Sequence, residues 1–193
     1  MRVVIRGAGD LASGVALRLW RAGMDVVLLD VEKPTAIRRT VAFSEAIVHG
    51  EQTVEDVTAR LATAETAEET LAAGYIPVLV DPEGRSIPTL RPDALVDAIL
   101  AKRNLGTKIT DAPVVIGVGP GFTAGVDCHA VVETMRGHTL GRVIREGSAI
   151  PNTGIPGLIG GFAGERVLRA PAAGLFHPLR DIGDAVTEGE VLA

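Results

Sequence analysis

The sequence predicts an α/β fold, in which a Rossmann-like parallel sheet with helices is followed by a smaller β-rich module. The chain opens with a short apolar run at residues 3–5, which leads directly into a glycine-rich turn and an amphipathic helix. Strand and helix signals then alternate up to about residue 105, a pattern typical of α/β proteins. After Ala112 the chain becomes glycine-punctuated and strand-like. We therefore expect a nucleotide- or anion-binding domain at 1–130 and the β-rich module at 131–193.

The first thirty residues have the pattern of a βαβ unit. Residues 3–5 are predicted as a strand that is buried on both faces. The helix is expected over residues 11–22, with Gly23 at its C-terminal end, and the second strand over 26–29. Three apolar residues at a spacing of four form the predicted core-facing stripe of the helix: Leu11, Val15 and Leu19.

The middle of the chain gives a more mixed pattern. Residues 40–43 could form a strand, and apolar residues at helical spacing predict a helix that begins at Thr53. Thr66 and Glu69 have the spacing of a capping box that opens a short helix. Residues 75–80 indicate a strand whose proline favours an early or edge position, and Pro92 suits the start of a further helix. The apolar faces of the two longer helices are Val54, Val57 and Leu61, and Leu95, Val96, Ile99 and Leu100.

Composition excludes several classes of function. The 193 residues are 47% hydrophobic, yet no apolar run approaches the roughly 20 residues that a membrane helix needs. We see no secretory signal, and the single cysteine, Cys128, suits a reducing compartment, so we expect a cytoplasmic protein. A net charge of −5 and an aromatic content of 3% argue against a nucleic-acid partner.

The turn after the first strand matches the dinucleotide-binding pattern G-x-G-x-x-G/A. Its first glycine would permit the tight turn, its second would let a phosphate approach the backbone, and free N–H groups at the helix start would bind the anion. Asp30 follows 21 residues after the second glycine, where a carboxylate would bind a ribose 2′-hydroxyl and favour NAD over NADP. The alternative is a tight strand–helix turn that binds nothing. The motif is Gly7-Ala8-Gly9-Asp10-Leu11-Ala12.

Asp10 fits a phosphate site poorly, because its negative charge would stand beside the anion. It could instead cap the helix, which would stabilise the helix by roughly 0.5–1 kcal/mol.

Two further segments could contribute to the same crevice. Arg38 and Arg39 lie among hydroxyl-bearing residues and suit a carboxylate or phosphate, although a solvated loop is an alternative. A second glycine loop at 117–121 follows a predicted strand at 114–116, so Gly119 and Gly121 could flank the first loop. Its Pro120 has no N–H, which makes it the poorer phosphate cradle. Candidate strands beyond it are 130–134, 140–144 and 166–168.

Residues 127–138 contain candidate acid–base groups. In a strand, His129 and Glu133 would share a face and could form a proton relay, with Asp127 and His138 close by. A hydrogen-bonded polar patch is the alternative. We expect no metal site, because the spacing matches no zinc motif.

Five segments form the longest motifs of the chain: residues 6–12, 34–46, 119–127, 129–134 and 136–143. They closely resemble the selenium-dependent molybdenum hydroxylase accessory proteins, the YqeB-like family. The resemblance implies a role in maturation of molybdenum hydroxylases that carry labile selenium, with such a hydroxylase as client. The Rossmann part is similar to accessory proteins that handle molybdenum cofactor for xanthine dehydrogenase.

Residues 169–191 resemble half of a biotinyl/lipoyl-like β-sandwich, and no lysine follows Lys108 that could serve as a carrier residue. The family is usually longer than this chain, which leaves truncation of the module open. Such a half-built module could pair with a second copy, so a homodimer is a further expectation.

The sequence is compatible with three functions. The first is an accessory factor whose glycine loop and arginines hold a small anionic ligand, either a nucleotide or the molybdenum cofactor. The second is an NAD-dependent oxidoreductase. The third is a scaffold whose glycine loop binds nothing.

Overall fold

A computed structural model describes residues 1–174 and 176–193, in two compact units, Met1–Asn152 and Thr153–Ala193. The strands are β1 (Arg2–Arg6), β2 (Asp25–Asp30), β3 (Glu51–Val54), β4 (Val57–Ala62), β5 (Ile76–Val80), β6 (Ala94–Asp97), β7 (Val114–Val118), β8 (Thr123–Ala124), β9 (Ala130–Val132), β10 (Val143–Ile144) and β11 (Gly147–Ser148). The helices are α1 (Asp10–Arg21), α2 (Glu45–His49), α3 (Ala67–Ala72) and α4 (Ile87–Leu90), with 3-10 helices at Arg39–Val41 and Gly164–Arg166.

The main sheet confirms the predicted α/β class. Its nine strands follow the order β10-β9-β7-β6-β1-β2-β5-β4-β3, and only β3 and β10 run antiparallel to their neighbours. The six strands β5-β2-β1-β6-β7-β9 reproduce the order 3-2-1-4-5-6 of doubly wound dinucleotide-binding sheets. The strand order therefore reverses between β1 and β6, and ligands in such sheets bind at the carboxyl ends of the strands at this point.

The first βαβ unit forms where the sequence predicted it, but helix α1 presents a different face. Its fully buried apolar residues include Ala12 and Ala16, whereas Leu11 is 45% exposed. Small side chains let the helix lie close to the sheet, so the predicted stripe that included Leu11 was wrong at that residue. Gly23 ends the helix as expected, with a positive φ of 80°.

Two of the predicted helices are strands. The helix expected after Thr53 is the hairpin β3–β4, whose two-residue turn places Glu55 at a φ of 56°. The helix expected after Pro92 is β6, and each of its four residues is buried. A strand covered on both faces has no polar alternation, so its apolar residues also satisfy a helical spacing. The strand expected at 40–43 was also wrong, because the segment forms the 3-10 helix Arg39–Val41.

Other elements match more closely. Helix α3 follows Thr66, although the Thr66 side chain makes no capping bond. Strand β5 carries Pro77 at its second position, early in the strand as predicted.

The sheet extends through β10, so residues 131–152 belong to the first unit, and the two units separate later than the predicted 130/131 boundary. Between 153 and 193 the described residues form the 3-10 helix Gly164–Arg166 and a bridge of Ile159 with Phe162, but no strand of two or more residues. The strand expected at 166–168 was therefore wrong. None of the described residues in this second unit is buried. No helix in the described ranges is both long and apolar enough to cross a membrane.

Candidate anion-binding cleft

A cleft of about 410 Å³ opens at the carboxyl ends of β1, β2 and β6, where the strand order of the sheet reverses. Its walls are the glycine turn and the start of α1 on one side, the segment after β2 on a second, and the segment after β6 on the third. The lining residues are Gly7, Gly9, Asp10, Leu11, Asp30, Val31, Thr35, Ala36, Ile37, Arg38, Ala98, Ile99 and Leu100.

Gly7 and Gly9, the two glycines of the first loop, differ in whether the fold requires a glycine. Gly7 has a φ of 97°, and a Cβ there would lie 2.8 Å from the carbonyl oxygen of Ala98. The fold itself therefore requires Gly7, because β1 and β6 approach so closely. Gly9 has a φ of −66°, which any residue can adopt, and a Cβ there would meet no atom of the described residues within 4 Å. The packing of the protein does not require a glycine at position 9. Because Gly9 lines the cleft, a ligand could approach its backbone through this open space.

The amino end of α1 is available to an anion. Gly9 stands at the N-cap position without a side-chain capping bond, and the first helical hydrogen bond is donated by the Ser13 N–H to the Gly9 carbonyl. The N–H groups of Gly9, Asp10, Leu11 and Ala12 have no acceptor among the described residues. Such groups carry the positive end of the helix dipole and form a natural site for phosphate or carboxylate.

Asp30 holds the glycine loop in place. The Ala8 N–H donates to Asp30 Oδ2 at 2.8 Å, and the Val31 N–H donates to Oδ1 at 2.7 Å. Burial raises the pKa of the Asp30 carboxyl above its usual value, and these two donors only partly offset that effect. Each oxygen keeps a further lone pair, so Asp30 positions the loop and still presents its carboxylate at the edge of the cleft.

The charge of Asp10 is neutralised by an ion pair across the mouth of the cleft. Arg38 Nε lies 2.7 Å from Asp10 Oδ2, and the Arg38 side chain is 64% exposed. Asp10 is the first residue of α1 and makes no capping bond, so the interpretation of Asp10 as a cap was wrong. Arg39 lies in the exposed 3-10 helix and does not line the cleft, so the structure brings only Arg38 to the site.

The segment that carries the family resemblance forms part of the cleft's support. The Phe43 N–H donates to Ser13 Oγ at 2.8 Å, and the Ser44 N–H donates to the Ala8 carbonyl at 2.9 Å. Phe43 is fully buried in the core beside α1. Residues 35–38 of this segment line the cleft and residues 43–44 fasten it to the glycine loop.

The sequence pattern did not predict a buried hydrogen-bond network that lies next to the cleft. Arg6 Nη1 donates to Thr107 Oγ1 at 2.6 Å, and Thr107 Oγ1 donates to Asp97 Oδ2 at 2.6 Å. The Ile99 N–H donates to Asp97 Oδ1 at 3.2 Å. This hydrogen bond fixes the start of the segment after β6 that lines the cleft. The available signal was Arg6 itself, a charged residue between a buried strand and a glycine turn.

The second glycine loop does not reach the cleft. A Cβ on Gly121 would lie 2.6 Å from the Arg103 backbone nitrogen, and one on Gly119 would lie 2.9 Å from Thr134 Oγ1. Both glycines have positive φ values, 80° at Gly119 and 115° at Gly121. Their role in the structure is close packing against protein segments, and they are absent from the cleft lining among the described residues.

The acid–base candidates are not gathered into one site. His129 is exposed just before β9, where its Nδ1 accepts the Val115 N–H at 3.0 Å. Glu133 follows the other end of β9, about 13 Å away at 3.3 Å per residue. This separation leaves no His129–Glu133 relay. Asp127 accepts the Thr123 N–H at 2.7 Å within a turn, and His138 is exposed.

Glu133 is a structural carboxylate. It is buried and accepts three backbone N–H groups, from Thr134, Met135 and Ile150, at 2.7–2.8 Å. Burial alone would raise the pKa of Glu133, but these donors outweigh it and hold the pKa below its usual value. A second groove of about 440 Å³ lies beside it, lined also by Arg142, Arg145 and Glu146. Across the described residues, no group of three or more His, Cys, Asp and Glu side chains could hold a metal ion.

The fold and the cleft define an α/β protein whose sheet has the strand order of doubly wound proteins and carries a cleft at its switch point. The chain matches no protein-family model. It is 59% identical over 192 residues to a curated protein of Escherichia coli (strain K12) described as uncharacterized protein YqeB. The match covers 99% of this chain and 36% of that relative, so the chain spans little more than a third of the relative's length. The resemblance to the YqeB-like family is thereby supported over almost the whole chain.

Proposed function

We propose that this protein binds a small phosphate-bearing ligand in the switch-point cleft and serves as an accessory factor in the maturation of selenium-dependent molybdenum hydroxylases. The observation that carries the binding site is the uncapped start of α1 beside Gly9, which faces open space, with Arg38 across the mouth. The ligand classes that suit this set are a nucleotide, NAD included, and the molybdenum cofactor, whose phosphate would lie at the N–H groups.

The proposed accessory role rests on the resemblance to the YqeB-like family. The partner that this role implies is a client molybdenum hydroxylase. The cleft favours this role over that of an NAD-dependent oxidoreductase. Its lining residues within the described ranges include no His, Tyr or Lys that would exchange a proton with a substrate. Of its two carboxylates, Asp10 is paired with Arg38, and Asp30 accepts an N–H group on each oxygen and positions the glycine loop. A binding and delivery function needs no such group.

The experiment compares Gly9→Ala with Gly14→Ala by isothermal titration with ADP, NAD and molybdopterin. Gly14 lies on the exposed side of α1, where a Cβ meets no atom within 4 Å, so its alanine variant is a matched control. We expect at least tenfold weaker binding for Gly9→Ala, with wild-type affinity for Gly14→Ala. Absence of binding by wild-type protein to all three ligands would refute the site.

The accessory role has a separate test in a host strain that lacks the gene and expresses a molybdenum hydroxylase. Wild-type protein should restore hydroxylase activity and its labile selenium content, and Gly9→Ala should restore less of both. Full hydroxylase activity in the strain without the gene would refute the role.

A further inference from the structure

The cleft covers only part of the crevice in which a dinucleotide would lie. Its lining residues follow β1, β2 and β6, and among the described residues none follows β7. In a doubly wound sheet that binds a dinucleotide, the ligand crosses the switch point and lies over strands of both halves of the sheet. In this protein the part of the second half that the cleft does not reach lies at the carboxyl end of β7.

Protein atoms occupy that part of the second half. Residues 100–103 run from the end of β6 towards the loop after β7, where Gly121 faces the Arg103 backbone so closely that a Cβ would lie 2.6 Å away. A Cβ on Gly119 would lie 3.1 Å from Leu100 Cδ2. The two segments thus touch without space for one methyl group. Leu100 and Lys102 have φ values of 61° and 63°, a left-handed backbone path that the packing holds in place.

The open part has the chemistry for one phosphate and one flat ring. The phosphate would lie at the start of α1 beside Arg38. Two apolar side chains that line the cleft are exposed, Val31 at 38% and Ile37 at 87%, and Ile99 is a third apolar lining residue. Exposed apolar side chains at a cleft gain by covering a ring, because contact removes their surface from water.

We propose that the cleft takes a single phosphorylated heterocycle, of the class of nucleoside mono- and diphosphates or a pterin phosphate, and excludes the second half of a dinucleotide. The inference deepens the proposed function and rests on it. The volume of about 410 Å³ agrees with it, since it lies near the lower end of the roughly 300–1,000 Å³ of small-molecule sites.

The test uses the full chain and four probes: AMP, ADP-ribose, NAD and a pterin with one phosphate ester. NAD and ADP-ribose share both phosphates and both riboses and differ by the nicotinamide ring, so their affinity ratio measures what that ring contributes. We expect the two to bind within about threefold of one another. In saturation-transfer NMR of bound NAD, we expect strong signals from the adenine protons and weak ones from the nicotinamide protons. The AMP and pterin arms identify which heterocycle the cleft prefers.

The outcomes separate the two proposals. If NAD binds more than tenfold tighter than ADP-ribose, or if both rings of NAD receive equal saturation, the single-heterocycle inference is overturned while the phosphate site stands. If none of the four probes binds, the proposed function fails with it. Tighter binding of AMP or of the pterin phosphate than of NAD supports the inference directly.

Discussion

The Asp10–Arg38 ion pair predicts that a loss of phosphate affinity caused by one substitution is restored by a second substitution. Arg38 Nε holds Asp10 Oδ2 at 2.7 Å, directly at the amino end of α1. Replacing Arg38 with alanine removes a cation from the cleft and also exposes the charge of Asp10 to the incoming anion. Arg38→Ala should therefore weaken phosphate binding, and Asp10→Asn in the same chain should recover most of the loss.

The size of the effect follows from the charges. Two unit charges about 4 Å apart repel by about 1 kcal/mol in bulk water and about 4 kcal/mol at an effective dielectric constant of 20. Arg38 is 64% exposed, so the mouth of the cleft lies towards the aqueous limit. We expect Arg38→Ala to cost about 1–2 kcal/mol of binding free energy, which is roughly five- to thirtyfold in affinity. The loss should shrink at high ionic strength.

The assay is isothermal titration of wild type, Arg38→Ala, Asp10→Asn and the double variant with the phosphate ligand that binds best. Arg39→Ala is the matched control, because Arg39 neighbours Arg38 and does not line the cleft. A double variant that binds as weakly as Arg38→Ala would refute the idea that Arg38 acts by masking Asp10. Equal losses for Arg38→Ala and Arg39→Ala would contradict the assignment of the cleft as the site.

Three further predictions concern stability. Gly7→Ala should lower the free energy of unfolding by about 1–3 kcal/mol, because its φ is 97° and its Cβ would meet the Ala98 carbonyl; an unchanged melting temperature would contradict this. The raised pKa of Asp30 means that the folded protein binds its proton more tightly than the unfolded chain does. The contribution of Asp30 to stability should therefore fall as pH rises from the usual pKa of 3.8 through the higher pKa of the folded state. It is measured as wild type minus Asp30→Asn in denaturant titrations, and a rising difference would refute the sign. Glu133→Gln should cost about 1–3 kcal/mol of the free energy of unfolding, because three partly buried N–H groups lose a carboxylate, with unchanged affinity at the cleft; a selective loss of affinity would place Glu133 in the site instead.

The first βαβ unit was predictable because its signals are local. Gly7, Gly9 and the helix after them lie within about twenty residues, and both the turn and the helix end depend on backbone conformations that glycine favours. Strand β6 was not predictable in the same way. Its residues lie between β1 and β7, each buried, and this burial depends on pairing with segments distant in the chain. Tertiary packing therefore decides between helix and strand there, and the sequence pattern alone does not.

The same distinction between local signals and distant contacts applies to the candidate site. Arg38 was a candidate because of its type and its neighbours, but its partner Asp10 lies 28 residues away and only the fold brings the two together. His129 and Glu133 were paired because four residues in a strand return to the same face. That periodicity is real, yet residues on one face at opposite ends of a strand are separated by the strand's own length.

The two glycine loops show how one composition serves two purposes. Each loop follows a buried parallel strand, and each contains glycines with positive φ. At Gly7, Gly119 and Gly121 the missing Cβ makes room for other parts of the protein, so packing alone accounts for these glycines. At Gly9 the backbone is ordinary and the space beyond it holds no atom of the described residues within 4 Å. A glycine that the fold does not need, at an uncapped helix start near an arginine, is what the proposed ligand would require where it approaches the backbone. Gly9 is therefore the residue at which the proposed function is tested most directly.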